Sequence, residues 1–98
     1  MSIDYSKIPA HMREGTRLYI EEGIEPGGFL TAVLANDLTG AVGRADETNK
    51  RYIQQWAEFM MCEMPGNLWG NYDVVRNHCQ EMSMTRALRY KNEFVSNT

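Results

Sequence analysis

The sequence predicts an all-α fold, a compact bundle of four to five helices, on three observations. Apolar side chains recur at the spacing of amphipathic helices. Glycine- and proline-bearing breaks at Gly23–Gly28, Gly40–Gly43 and Pro65–Asn71 cut the chain into four segments. Residues that suit helix starts, Pro9, Asp46 and Asn71, stand beside segment boundaries.

The first segment runs from about Pro9 to Glu22. Proline fits a first helical position, where its missing N–H would be unpaired anyway. Ile8, Met12, Gly15, Tyr19 and Ile20 share one face. Gly23 is the expected stop, because a terminal left-handed residue costs glycine nothing. The second segment runs from Pro26 to Leu38, or on to Val42, with Leu30, Val33, Leu34, Leu38 and Ala41 as its apolar stripe. The third starts at Asp46, whose carboxylate can accept from the free donors of a first turn. Tyr52, Ile53, Trp56, Phe59 and Met60 place it at the centre of the core, and Pro65-Gly66 ends it.

The fourth segment starts after Asn71, and its pattern changes midway. Val75, His78, Cys79 and Met82 make one face. At about 100° per residue, Met84, Ala87, Leu88 and Val95 fall nearly opposite. Either the helix breaks at Ser83-Met84-Thr85 and folds back, or one long helix serves two partners. On the second reading Met84, Leu88 and Val95 form an oligomer interface. Residues 1–82 are thus read as the helical core, and 83–98 as a C-terminal helical extension of the same domain.

Ninety-eight residues make one domain. A chain of this size buries roughly 65% of its unfolded surface, enough for one core without metal or disulfide. No apolar run approaches the ~20 residues that span a bilayer. The start, Met1-Ser2-Ile3-Asp4, lacks the basic-then-apolar order of a signal peptide. Cys62 and Cys79 are then expected to be reduced thiols in a cytoplasmic protein. The net charge of −3 provides no basic field to attract nucleic acid. Charge is uneven, with five acids and three bases in residues 1–25, and four bases and three acids in 71–98. Such polarity would suit head-to-tail association.

Few residues point to chemistry. No Gly-x-Ser-x-Gly elbow or cysteine-protease signature is present, so no catalysis is expected. His11 and His78 lie far apart, His78-Cys79 is not a usual zinc spacing, and no Cys-x-x-Cys exists, so neither metal nor cofactor is expected. Pro26-Gly27-Gly28 opens a helix with bare N–H groups. It is either a seat for a phosphate or carboxylate or a tight helix connection. Asp37 falls inside the apolar stripe of the second segment, where a carboxylate is costly unless paired. It marks either a ligand pocket or a structural ion pair or cap, with Arg44, Arg13 and Arg17 as available partners. Asn49 and Glu63 interrupt the apolar face of the third segment in the same way. Trp69, in the loop Gly66–Gly70, is either a core plug or a stacking platform. The methionines suit core filling or an adaptable contact surface. Arg86, Arg89, Tyr90 and Lys91 could grip a single strand or form a solvated face.

Three stretches carry a resemblance. They are Ile8-Pro9-Ala10-His11-Met12-Arg13-Glu14, the block Tyr19-Ile20-Glu21-Glu22-Gly23-Ile24-Glu25-Pro26-Gly27-Gly28-Phe29-Leu30-Thr31-Ala32-Val33-Leu34-Ala35-Asn36-Asp37-Leu38, and Arg44-Ala45-Asp46. Together they resemble a family of small helical proteins encoded by tailed phages and prophages. The likeness continues through Trp56 and Pro65 to Trp69-Gly70, covers about residues 8–78, and leaves the last 20 residues unmatched. It implies a phage origin and a place in the host cytoplasm, and it carries over no catalytic residue. The resemblance implies an accessory binding protein that counters a host process. One reading has it sequester a small anionic, nucleotide-type immune signal. Its ligand set would be Gly27, Gly28, Asn36, Asp37, Arg44, His11, Arg13 and Trp69, shared between protomers of a homo-oligomer. The other has it mask a host defence or replication protein.

Overall fold

Gly23 sets the angle at which the longest helix meets the first. The computed structural model describes residues 2–96, with side chains described through Lys91. Six α-helices follow one another: α1 Ala10–Glu22, α2 Gly28–Leu34, α3 Leu38–Arg44, α4 Glu47–Arg51, α5 Ile53–Cys62 and α6 Tyr72–Ser96. A 3-10 turn, Gly66–Leu68, joins α5 to α6, and the described residues form no strand. The fold is all-α, as the periodicity requires. None of the described helices is long and apolar enough to cross a membrane.

α1 begins after Pro9 and ends at Gly23, which is left-handed with φ 63°. Two requirements meet at that glycine. A side chain is strained at this φ, and a Cβ there would run into Met82 of α6. α6 also caps the end of α1. His78 Nε2 lies 2.8 Å from the Tyr19 carbonyl, which only accepts, so that nitrogen carries the proton. Arg86 donates to the Glu22 carbonyl. The Glu22 oxygen is one that a helix end leaves without an intrahelical partner, and the Tyr19 oxygen also accepts from Gly23 N–H at 3.0 Å.

The second segment is not one helix. The chain turns at Asn36, whose φ is 61°, a conformation asparagine tolerates better than most residues. α3 restarts after Asp37, which accepts from Gly40 N–H at 2.9 Å and is its N-cap. The break keeps Leu30, Leu34 and Ala41 on the core but turns Leu38, assigned to the same stripe, out to 67% exposure at the start of α3. The third segment starts as expected, with Asp46 accepting from Asn49 N–H at 2.7 Å. It is interrupted for one residue at Tyr52 and resumes as α5.

Trp56 of α5 is the centre of the core. Phe29 of α2 meets its ring edge-on at 5.5 Å, and Phe59 at 6.2 Å. Ile8, Tyr19, Leu34 and Phe59 are sealed from solvent around it. The polar interruptions of α4–α5 resolve as partners. Buried Asn49 accepts from the Trp56 indole N–H at 3.0 Å. Leaving that donor unmatched would cost about 1–3 kcal/mol. Glu63 accepts from Asp4 N–H at 2.8 Å and holds the N-terminal segment near the end of α5. Trp69 is half-buried against the core, and its loop is pinned where Tyr19 donates to Leu68 O and Gly70 N–H to Leu34 O.

α6 starts at the Asn71 cap, which accepts from Val74 N–H, and does not break at Ser83–Thr85. Val75 is buried, and His78, Cys79 and Met82 are half-buried on the body. Met84 and Leu88 stand 66% and 59% exposed on the other side. The Val95 side chain, assigned to the same face, lies outside the described residues.

Gly23→Ala should lose roughly 2–4 kcal/mol, from left-handed strain and overpacking against Met82. Gly27→Ala, with nothing within 4 Å of the new Cβ, should change stability far less. Urea unfolding of both variants checks this; equal losses would contradict it.

Candidate functional site

Two grooves flank the place where α6 begins, and one hydrogen bond divides them. Tyr72, at the start of α6, donates to Asp37 Oδ2 at 2.5 Å. Tyr72 lines one groove and Asp37 the other. The Asp37 carboxyl is held below its usual value, first by the Tyr72 hydroxyl and then by Gly40 N–H, with the Arg44 field adding to both. The same bond pushes the Tyr72 hydroxyl up.

The larger groove, about 800 Å³, runs between α6 and the connection from α1 to α2. Arg76, Gln80, Ser83 and Arg86 line its α6 side at steps of four, three and three residues. They form a polar stripe beside buried Val75 and half-buried Cys79. Thr31 and Ile24 face them, and Glu25 stands on that rim. Arg76 pairs with Asp73 on its own helix, and Arg86 is bound to the Glu22 carbonyl. A guanidinium has five donors, so each keeps donors to offer. Cys79 sits in the wall. Burial, and then Glu25, pushes its thiol up, which keeps it protonated and unreactive.

The smaller groove, about 290 Å³, lies between the α2–α3 turn and α5. Its walls are apolar: Leu38, Ala41, Ala57, Met60, Met61 and Trp69. Asn36 and Asp37 are its polar end.

The structure divides the residues that the sequence grouped as one ligand set. Asn36, Asp37 and Trp69 meet in the smaller groove, where a carboxylate at the end of apolar walls disfavours an anion. Arg44 lies over α2: a Cβ on Gly28 would stand 3.0 Å from Arg44 Cδ, and Arg44 Nη1 donates to Gly40 O at 3.3 Å. The structure thus keeps Gly27, Gly28 and Arg44 together at a helix start with no side-chain cap, but that helix has seven residues, too short for a strong dipole. His11 does not join the set; its Nε2 is 2.9 Å from Asp46 Oδ2 and ties α1 to the cap of α4. Arg13 is spent on the carbonyls of Ile8 and Ser6, 3.1 and 3.2 Å away, and braces the N-terminal loop. Arg17 pairs with Glu14 and Glu21, so Asp37 finds its partner on α6 and not on α1. Among the described residues, no group of three His, Cys, Asp or Glu side chains converges as a metal site would need.

No family model, curated protein or solved structure matches this chain. The site is accordingly read from its own chemistry. What the sequence reasoning passed over is the Arg76–Gln80–Ser83–Arg86 stripe. Its helical spacing was visible, but it sat on the flank of a helix read for its apolar faces.

A carboxylate favoured by the fold contributes stability that is complete above its unfolded value, and that is lost as pH falls through the lowered one. Tyr72→Phe removes the first cause of the lowering. The variant should unfold more easily than the parent at neutral pH. The gap should close as the solution is acidified below about 3.9, the ordinary Asp value. A gap that does not change with pH would contradict the assignment.

Proposed function

We propose that this chain is an accessory binding protein, of the kind tailed phages encode, which sequesters a small anionic ligand of nucleotide type and so counters a host process. One observation carries the reading. The groove of about 800 Å³ carries two arginines, an amide and a hydroxyl along α6, with Thr31 and Ile24 across from them. Small-molecule sites run from about 300 to 1,000 Å³, mostly apolar with a few convergent polar groups. Val75, Ile24 and Met84 supply apolar wall for a base or sugar face, and Arg76 and Arg86 supply charge-assisted donors for a phosphate. Glu25 on the opposite rim repels an anion there and directs it to the α6 side. The smaller groove offers a phosphate no cation on its walls.

The proposal is one of binding, not of catalysis. The thiol that lines the groove is held in its unreactive form, and neither histidine is among the lining residues. The phage origin rests on the likeness of residues 8–78 described above.

A thermal-shift panel of mononucleotides, cyclic nucleotides, cyclic dinucleotides and inorganic phosphate tests the reading. A ligand at a hundred times its Kd adds about 2.7 kcal/mol to stability. At least one nucleotide should raise Tm by several degrees. Arg76→Ala should abolish the rise while leaving the unliganded Tm close to the parent's, since its exposed ion pair contributes little. Arg44→Ala should leave binding intact. No rise with any anion, together with co-purification of a host protein, would overturn the proposal in favour of a protein-masking inhibitor.

A further inference from the structure

Among the described residues, two exposed apolar surfaces stand out, and they lie too far apart to serve each other. The first is the ridge on the second half of α6, where Met84 and Leu88 stand four residues apart and largely exposed. The second is the smaller groove, whose lips, Leu38 and Met61, are 67% and 77% exposed. Tyr72 fixes their separation. Its hydroxyl touches Asp37 at the polar end of the groove, and α6 runs unbroken from there. At 1.5 Å per residue, Met84 lies about 18 Å and Leu88 about 24 Å farther along the axis. A continuous helix cannot fold its own ridge back into the groove at its root.

The two surfaces are also opposite in charge. Residues 84–91 carry Arg86, Arg89 and Lys91 and no acid. The groove ends in the Asp37 carboxylate, and residues 2–71 hold ten acidic against six basic side chains. Ridge and groove match in size as well. Two side chains one helical turn apart suit a trough of about 290 Å³ with the small residues Ala41 and Ala57 among larger walls such as Met60 and Trp69.

We propose that the Met84–Leu88 ridge of one copy docks in the Leu38–Met61 groove of a second copy, with Arg89 and Lys91 set toward its Asp37 carboxylate. The contact is head-to-tail: different surfaces of the two copies meet, and the pair keeps one ridge and one groove free. Such a contact either closes into a ring or runs on as an open array. Met84 also stands on the wall of the larger groove, whereas Leu88 and Met61 do not line it, so variants at those two positions test the contact without touching that groove.

Sedimentation equilibrium at several protein and salt concentrations tests this, with two surface variants. The parent's mass should climb above the 11.3 kDa of one chain as concentration rises, and fall back as salt screens the charges. Leu88→Glu spoils the ridge and Met61→Glu spoils the groove. Both positions are exposed, so both variants should keep the parent's circular dichroism and run as single chains. Mixed in equal amounts, they retain one good ridge and one good groove between them. The mixture should give a particle of twice the single-chain mass and nothing larger. A parent that stays a single chain throughout would overturn the proposal. So would a Met61→Glu variant that still self-associates, which would mean ridge meeting ridge, or a mixture that never pairs.

Discussion

The missing side chain at Gly23 is the constraint on which the rest of the structure depends. Because nothing projects from that residue, Met82 can lie directly on the backbone at the end of α1. α6 then comes close enough for His78 and Arg86 to take the carbonyls of Tyr19 and Glu22. One contact thus ends α1, caps it, and fixes the path of a 25-residue helix across the body. The edge-on packing of the Tyr19 and His78 rings at 4.9 Å, and the bond from Tyr19 to Leu68, extend the same anchor to the loop that precedes α6.

Both grooves follow from that path. The larger exists because α6, touching the chain at Gly23, runs beside the α1–α2 connection and leaves a trough along it. The smaller is bounded by the turn at Asn36–Asp37, which the Tyr72 hydroxyl secures to the root of α6. A body with one core can bury only one face of a helix. The first half of α6 gives it Val75 and Cys79. The second half carries its apolar residues past the body, where they stay in water. The grooves also differ in kind, arginines along one and a carboxylate closing the other, so they suit different occupants.

Much of this architecture was legible in the residues, and what escaped did so for physical reasons. Gly23, Asp46 and Asn71 mark the boundaries they were expected to mark, because cap chemistry is local. The two-faced pattern of α6 correctly signalled apolar residues facing away from the body. The break at Asn36 was hidden because Leu30, Leu34 and Leu38 keep a four-residue step across it, and asparagine announces a left-handed turn far more faintly than glycine does. Asp37 was rightly singled out as anomalous. Its partner Tyr72 is 35 positions away, and only tertiary packing brings them together. Asn49 was within reach, since Trp56 lies two turns along the same face and has one N–H to satisfy. That His11 pairs with Asp46 and Arg13 with the Ile8 carbonyl was not legible, because polar groups at a helix start look alike in a sequence whether they face a ligand or brace their neighbours.

The anchor at Gly23 can be seen directly by nuclear Overhauser spectroscopy of the labelled protein. The account predicts strong cross-peaks from the Gly23 α-protons to the Met82 side chain, with unbroken amide-to-amide helical cross-peaks through Ser83, Met84 and Thr85. A spectrum in which Gly23 sees no α6 proton, or in which the helical series stops at Ser83 and resumes later, would contradict it.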